Sequence, residues 1–153
     1  MKKYAIIGII LLIAYYSGGD KIIHHPSRAQ RVATAIAYAK QQLGKPYRWG
    51  GNGPNVFDCS GLTQHAWQTA GIKIPRTSQD QWAQGTHVST PKPGDLVFFH
   101  GYLIGGEKPP GHVGLVIGKG LMIEAYATGY PVKISHYGAA AGRPVWGYTD
   151  PTR

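Results

Sequence analysis

The chain has 153 residues, of which 42% are hydrophobic and 11% aromatic, and a formal net charge of +9 at pH 7. This length suits one domain with a substantial core, and the composition excludes a chain that is disordered throughout. The positive charge favours a polyanionic partner, but lysines and arginines are scattered singly, without a basic cluster or a nucleic-acid motif, so we expect no nucleic-acid partner.

The first nineteen residues have the layout of an export signal. Two lysines precede an uncharged run over residues 5–16, and a serine and two glycines follow it. The run is shorter than the roughly 20 residues that cross a bilayer comfortably, which favours a signal peptide; a buried core helix is the alternative. We expect residues 1–19 to be a signal peptide or an N-terminal membrane anchor, residues 20–27 a linker, and residues 28–153 one folded domain.

Two longer helices are predicted early in this domain. Four apolar residues spaced by three or four, Val32, Ile36, Ala39 and Leu43, predict a first helix over Arg28–Leu43 with Ser27 as its N-cap. A loop rich in glycine, proline and asparagine follows over residues 45–55. It leads to a second helix over Cys59–Ala70, for which Asp58 lies at or near the N-cap.

The second half of the domain predicts an antiparallel sheet. A short helix beginning near Ser78 precedes it, and glycines and prolines then separate five strand candidates. These are Leu96–His100, His112–Ile117, Leu121–Tyr126, Val132–Ser135 and Val145–Tyr148. Helices first and strands afterwards predict an α+β fold.

Cys59 is the only cysteine of the chain. A disulfide within the chain and a zinc site built on several cysteines are therefore excluded, which leaves a buried small residue, an intermolecular bridge or a reactive thiolate. At the first turn of a helix, the helix dipole favours a thiolate, and unpaired amides can stabilise an oxyanion. A lone thiol kept in an oxidising compartment also favours a chemical role.

A reactive thiolate needs a base, and His112 is the best candidate because it opens the strand-like run HVGLVIG. Glu124 interrupts an apolar run on the next predicted strand, where it could orient the imidazole. If the two strands form a hairpin through residues 118–120, both side chains lie at the same end of the ladder. The alternative is a glutamate that points to solvent from an edge strand.

Five motifs in order resemble the NlpC-type cysteine peptidases, papain-like enzymes of bacterial cell-wall turnover. The motifs are Tyr47-Arg48-Trp49-Gly50-Gly51, Asp58-Cys59-Ser60-Gly61, Pro75-Arg76-Thr77-Ser78, Pro93-Gly94-Asp95-Leu96-Val97-Phe98-Phe99 and His112-Val113-Gly114. The resemblance covers residues 28–148. It implies a papain-like α+β fold in which N-terminal helices, one carrying the cysteine at its start, pack on a central antiparallel sheet.

The resemblance also implies roles for single residues. Cys59 would be the nucleophile, His112 the general base and later acid, and Glu124 the third catalytic residue, at a position that is often histidine in the family. A glutamate there is similar to a subgroup of actinobacterial cell-separation hydrolases. Four further positions are implied to bind the free amine and backbone at the start of the stem peptide: Tyr47, Asp58, Ser60 and Arg76.

Simpler interpretations of these four residues remain open. Asp58 could be only a helix cap, Arg76 a surface charge and Tyr47 loop packing, whereas the resemblance also suggests that the Tyr47 hydroxyl helps to hold the oxyanion. One departure from the family is residues 100–111, HGYLIGGEKPPG, which replace a short turn. We expect them to form a flap beside His112 that influences specificity.

The sequence and the family resemblance together predict an exported, monomeric cysteine endopeptidase that needs no metal or organic cofactor. The resemblance implies that it cleaves peptidoglycan stem peptides at the bond between γ-D-glutamate and the diamino acid. We expect it in the periplasm, in the cell envelope or outside the cell, released or tethered through residues 1–19. The alternatives are an amidase or transpeptidase of the same fold, and a catalytically silent module that binds the cell wall.

Overall fold

The computed structural model describes residues 25–101 and 108–153. The predicted export segment, residues 1–19, and most of the predicted linker lie outside these ranges, as do residues 102–107 of the predicted flap. In the described part of the chain, no helix combines the length and the apolar character that a membrane crossing requires.

Helix α1 spans Arg28–Gln41, and Ser27 is its N-cap, as predicted. The Ser27 side chain accepts from the backbone N–H of Gln30, whose own side chain accepts from the Ser27 N–H at 2.8 Å, so two free amides of the first turn are satisfied. The prediction that the helix continues to Leu43 was wrong. The helix ends before this residue, and Leu43 is 40% exposed.

Helix α2 spans Cys59–Thr69, and helix α3 spans Ser78–Gln84. Asp58 caps α2, as the sequence predicts, and a residue with positive φ, Gly71, follows its end. Three apolar side chains of α2 are fully buried: Leu62, Ala66 and Trp67. The cysteine therefore stands at the start of a helix that the core holds firmly.

A six-stranded antiparallel sheet follows the helices, in the strand order β1-β6-β2-β3-β4-β5. The predicted α+β fold class is thus correct. The strands are β1 (Thr86–Val88), β2 (Leu96–Phe99), β3 (His112–Gly118), β4 (Leu121–Glu124), β5 (Lys133–His136) and β6 (Gly147–Asp150).

The observed strands differ from the predicted ones by one or two residues at several ends, and one strand was not predicted. The sequence did not predict β1, because three residues are too few for an alternating pattern. The last strand begins two residues later than predicted, at Gly147, where it pairs with both β1 and β2.

The main core lies between the sheet and helices α1 and α2. Alternate residues of the central strand β2 face opposite ways: Leu96 and Phe98 join this core, whereas Val97 and Phe99 join a smaller cluster with Val116 and Met122. Since β2 is buried on both sides, it holds its neighbour β3 rigidly. The N-terminus of α2 and the beginning of β3 carry the residues that the sequence singles out.

Candidate active site

Cys59 is the first residue of α2, and its side chain is only partly buried. The Asp58 carboxylate caps the helix by accepting from the N–H of Gly61 at 2.7 Å. A side chain at Gly61 would collide with the carbonyl oxygen of Gly51, so this glycine lets the preceding loop pack directly on the first turn. The nucleophile candidate is therefore fixed by a capped helix and by the loop that leads into it.

The hairpin of β3 and β4 brings His112 and Glu124 together. Leu115 pairs with Ile123, and continuing this register by one residue sets Glu124 opposite Gly114. Alternation then places Glu124 and His112 on the same side of the sheet. Nε2 of His112 and Oε2 of Glu124 are 2.7 Å apart, and both side chains are buried. Glu124 does not point to solvent, which removes that alternative.

The imidazole and the Cys59 side chain line the same cavity. Because Nε2 faces the Glu124 carboxylate, which only accepts, Nδ1 is the nitrogen left to hydrogen-bond with the Cys59 thiol. Burial alone would lower the pKa of His112, but the hydrogen bonds with Cys59 and Glu124 outweigh it and raise the pKa to about 9. The site therefore favours an imidazolium beside the sulfur.

The sequence did not predict a fourth member of this cluster, Arg143. Its guanidinium donates twice to the Glu124 carboxylate, from Nη1 to Oε1 at 2.6 Å and from Nη2 to Oε2 at 3.0 Å. Burial would raise the pKa of Glu124, but hydrogen bonds from His112 and Arg143 outweigh it and lower the pKa to about 2. Arg143 follows a glycine- and alanine-rich turn without any motif, and the one available signal was that a buried glutamate requires a cation.

Asp58, Ser60 and Arg76 form a second polar cluster beside Cys59. The Arg76 guanidinium contacts both oxygens of Asp58, at 2.9 and 2.6 Å, and donates to the Ser60 hydroxyl at 3.0 Å. Arg76 is thus not an isolated surface charge. Asp58 is a helix cap, as its simpler interpretation stated, and it also pairs with Arg76.

Tyr47 lies in the loop before α2 and packs against the main core. Burial raises the pKa of its phenol to about 12, and the negative charges of Cys59 and Asp58 act in the same direction, although Arg76 opposes them. The hydroxyl therefore keeps its proton at neutral pH and can donate a hydrogen bond.

A cleft divides into two cavities that share Cys59, Tyr47, Trp49 and Gly111 in their walls. The smaller, of about 370 Å³, carries the Asp58–Ser60–Arg76 cluster. The larger, of about 670 Å³, is lined by His112, Arg143 and aromatic rings. A substrate that fills both cavities would pass next to the Cys59 side chain.

The base of the predicted flap lies at the larger cavity, where His100 and Gly101 contribute to the wall. The N–H of Gly111 donates to the carbonyl of His100 at 2.7 Å and closes this base. The Ser78 hydroxyl donates to the carbonyl of Pro110 at 3.0 Å, which ties the segment to α3. The middle of the flap lies outside the described residues.

The side chains at the cleft are arranged for nucleophilic chemistry. The partly exposed thiol of Cys59 shares a cavity with an imidazole that is hydrogen-bonded to a buried carboxylate, and Cys59 belongs to the first turn of α2, where backbone amides are free to bind an oxyanion. In residues 25–101 and 108–153, no group of three or more histidine, cysteine or acidic side chains is arranged to hold a metal ion.

Comparison with known proteins identifies relatives for most of the domain. The profile of the NlpC/P60 family matches residues 44–146. The probable endopeptidase p60 of Listeria innocua is 46% identical over 115 residues, which cover 74% of this chain and 23% of that protein. The murein DD-endopeptidase MepH of Escherichia coli is 40% identical over 119 residues, which cover 72% of this chain and 42% of that protein. The chain thus spans less than half the length of these relatives.

The fold is similar to that of solved structures as well. The peptidoglycan hydrolase RipB of Mycobacterium tuberculosis superposes with a TM-score of 0.67 at 32% identity, over 91% of this chain and 75% of that one. The prediction of the papain-like NlpC fold is confirmed by this likeness together with the helices and the antiparallel sheet.

Proposed function

Since the chain belongs to the NlpC/P60 family, we propose that it is a cysteine endopeptidase that hydrolyses stem peptides of peptidoglycan. The observation that carries this proposal is the His112–Glu124 pair in the same cavity as Cys59, which itself lies where the two cavities of the cleft meet. The relatives named endopeptidase and peptidoglycan hydrolase support the same class of substrate.

The first chemical step is attack of the Cys59 thiolate on the carbonyl carbon of the scissile amide. A carbon–sulfur bond forms, and the carbonyl oxygen becomes an oxyanion. Amides at the first turn of α2 stabilise this charge, and the Tyr47 hydroxyl, which lines the same cavity and stays protonated because its pKa is raised to about 12, donates a hydrogen bond to it. His112 remains an imidazolium during the attack.

Collapse of the tetrahedral intermediate breaks the carbon–nitrogen bond. His112 gives its proton to the leaving amine and becomes a neutral imidazole, so that a thioester with Cys59 remains. His112 then accepts a proton from the water that attacks the thioester. The acid product leaves, and the thiolate and the imidazolium are restored. Glu124 accepts a hydrogen bond from Nε2 in both halves of the cycle and holds the ring in place.

We assign the scissile bond to the amide between γ-D-glutamate and the diamino acid, as the family resemblance implies. The smaller cavity then takes the free amine and backbone at the start of the stem peptide, beside Asp58, Ser60 and Arg76. The net charge of +9 suits a polyanionic wall, and we propose export to the cell envelope, with residues 1–19 as signal or anchor.

A second candidate is the cross-link between two stem peptides, because the relative MepH is named a DD-endopeptidase. Digestion of purified monomeric and cross-linked muropeptides, followed by mass spectrometry, separates the two. Cleavage within the monomer supports the γ-D-glutamyl bond, whereas conversion of dimers into intact monomers supports the cross-link. Loss of the whole peptide from the sugar would indicate an amidase, and products joined to an added amine would indicate a transpeptidase.

A catalytically silent wall-binding module is the alternative of a different class. The rate at which iodoacetamide alkylates Cys59, measured from pH 4 to 10, discriminates between the two. If His112 assists the thiol, the wild-type protein should be alkylated faster than His112→Ala, whereas in a silent module the two proteins should be alkylated at the same rate.

A further inference from the structure

Glu124 is fully buried, and two cationic side chains share its carboxylate. Oε1 accepts from Arg143 alone, whereas Oε2 accepts from both Arg143 and His112. Ser135 of β5 also helps to lower the pKa of Glu124. Lys133, the residue paired with Glu124 on β5, holds its ammonium over the rings of Tyr126 and Tyr130 instead. Arg143 is therefore the one permanent cation that contacts Glu124 among the described residues.

We propose that Arg143 is a positioning residue, which holds the Glu124 carboxylate charged and aimed at His112 in both protonation states of the imidazole. The inference rests on the proposed function insofar as it concerns the catalytic cycle, but the contacts themselves do not depend on the substrate. Arg143 acts through Glu124, so it is not a catalytic residue in its own right.

The need for a second cation follows from the reaction. While His112 is an imidazolium, it neutralises Glu124. Once His112 has given its proton to the leaving amine, the buried carboxylate would face a neutral ring, and burial would favour a protonated glutamic acid. A protonated glutamic acid no longer draws the proton of water towards the imidazole. The guanidinium never titrates in this range, so it keeps the carboxylate charged through both steps.

The geometry also fixes where the carboxylate points. Two parallel N–H···O contacts to a planar guanidinium define the plane of the carboxylate, and this leaves Oε2 directed at Nε2 of His112. A single ammonium in place of the guanidinium would keep the charge and lose this orientation.

Two aromatic rings hold the arginine and the histidine together. The Arg143 guanidinium lies 4.8 Å from the centre of the Phe99 ring and 5.0 Å from that of Tyr126. The same two rings lie 5.7 and 5.6 Å from the imidazole of His112. The Arg143 guanidinium and the His112 imidazole thus pack against the same two aromatic rings, and a shift of one side chain would displace the other.

A double-mutant cycle between Arg143 and Glu124 tests this inference. The variants are R143Q, E124Q and the pair, and the readouts are kcat on muropeptides and the rate of Cys59 alkylation at pH 6. In the wild-type background, R143Q should lower both rates by roughly tenfold or more, because the carboxylate that orients His112 loses its cation. In the E124Q background, R143Q should change either rate less than about twofold, since a neutral amide needs no cation.

The conservative variant and a distant arginine complete the design. R143K should restore the rate of Cys59 alkylation at pH 6, because that rate needs only the positive charge. It should recover kcat only in part, because kcat also needs the orientation of the carboxylate. R28Q is the matched control, because Arg28 contacts two buried carboxylates, Asp95 and Asp150, away from the cleft. It should lower stability and leave the alkylation rate of the folded protein unchanged.

An equal loss in both backgrounds would overturn the inference, because it would show that Arg143 acts on the substrate or on the fold rather than through Glu124. Wild-type rates in R143Q would overturn it as well. Circular dichroism checks that each variant is folded, and R143K serves if R143Q is not. If the wild-type protein cleaves no muropeptide, the proposed function fails, and the alkylation cycle still decides the inference.

Discussion

Nε2 of His112 lies 2.7 Å from Oε2 of Glu124, although the two residues are twelve positions apart in the chain. The β3–β4 hairpin sets this distance, and the carboxylate, which only accepts, fixes the ring proton on Nε2. Nδ1 is then presented to Cys59 before any substrate arrives. The sheet thus sets which nitrogen of His112 carries the proton beside Glu124, and the pH dependence of activity tests this arrangement.

Activity should persist to unusually high pH for a histidine-dependent reaction. The pKa of His112 is raised to about 9, and the thiolate–imidazolium pair is lost only as the pH rises through this value. We expect the basic limb of kcat/KM near pH 9 in the wild-type protein, and at lower pH in E124Q, where the carboxylate no longer favours the imidazolium. A wild-type basic limb near pH 6.5 would contradict this assignment.

Glu124 should stabilise the fold towards acid. Its folded pKa of about 2 lies below the ordinary value of 4.5, so its contribution is fully present above pH 4.5 and is lost as the pH falls through about 2. The upper limit of this contribution is about 3 kcal/mol. Urea unfolding of wild type and E124Q between pH 2 and 6 measures it. The difference in unfolding free energy between the two proteins should shrink towards pH 2, and a difference that stays constant would show that it does not come from the Glu124 charge.

The two helix caps should separate stability from activity. Ser27→Ala removes the cap of α1, far from the cleft, and should cost about 1 kcal/mol of unfolding free energy without changing kcat. Asp58→Ala removes the cap of α2 and also leaves Arg76 without its carboxylate, so it should cost more than about 1 kcal/mol and lower kcat. Thermal denaturation and muropeptide turnover measure the two effects.

The Asp58→Asn variant refines this comparison, because asparagine keeps the acceptor for the Gly61 amide and loses the charge that pairs with Arg76. It should retain most of the stability and still reduce turnover. If Asp58→Ala behaved like Ser27→Ala, with lower stability and unchanged kcat, the Asp58–Arg76 pair would have no role in turnover.

The sequence predicted the features that depend on local pattern. Capped helices, the cysteine at a helix start and the β3–β4 hairpin all carry short-range signals, and the hairpin was enough to bring His112 near Glu124. The sequence did not predict contacts between residues that lie far apart in the chain and meet only in the tertiary structure. Arg143 meets Glu124 only because the turn after β5 comes back to the end of β4, and no spacing in the sequence encodes that return.

The predictions for β1 and for the end of α1 failed for a different reason. β1 has three residues and forms only because β6 offers an edge to pair with, so it has no periodicity of its own. Leu43 continues the apolar spacing of α1, yet the helix ends at Gln41 before the turn that would bury it. In both cases the neighbouring chain, rather than the local pattern, decides the outcome.

A muropeptide digest with wild-type protein and the Cys59→Ala variant side by side, with products identified by mass spectrometry, decides whether Cys59 is the nucleophile of a stem-peptide endopeptidase. Cys59 is partly exposed, so its loss should leave the fold intact, which circular dichroism checks. We expect the wild-type protein to cleave the stem peptide to products with the masses of the γ-D-glutamyl cut, and Cys59→Ala to yield none. Unchanged cleavage by folded Cys59→Ala would contradict the assignment of the nucleophile and the mechanism built on it.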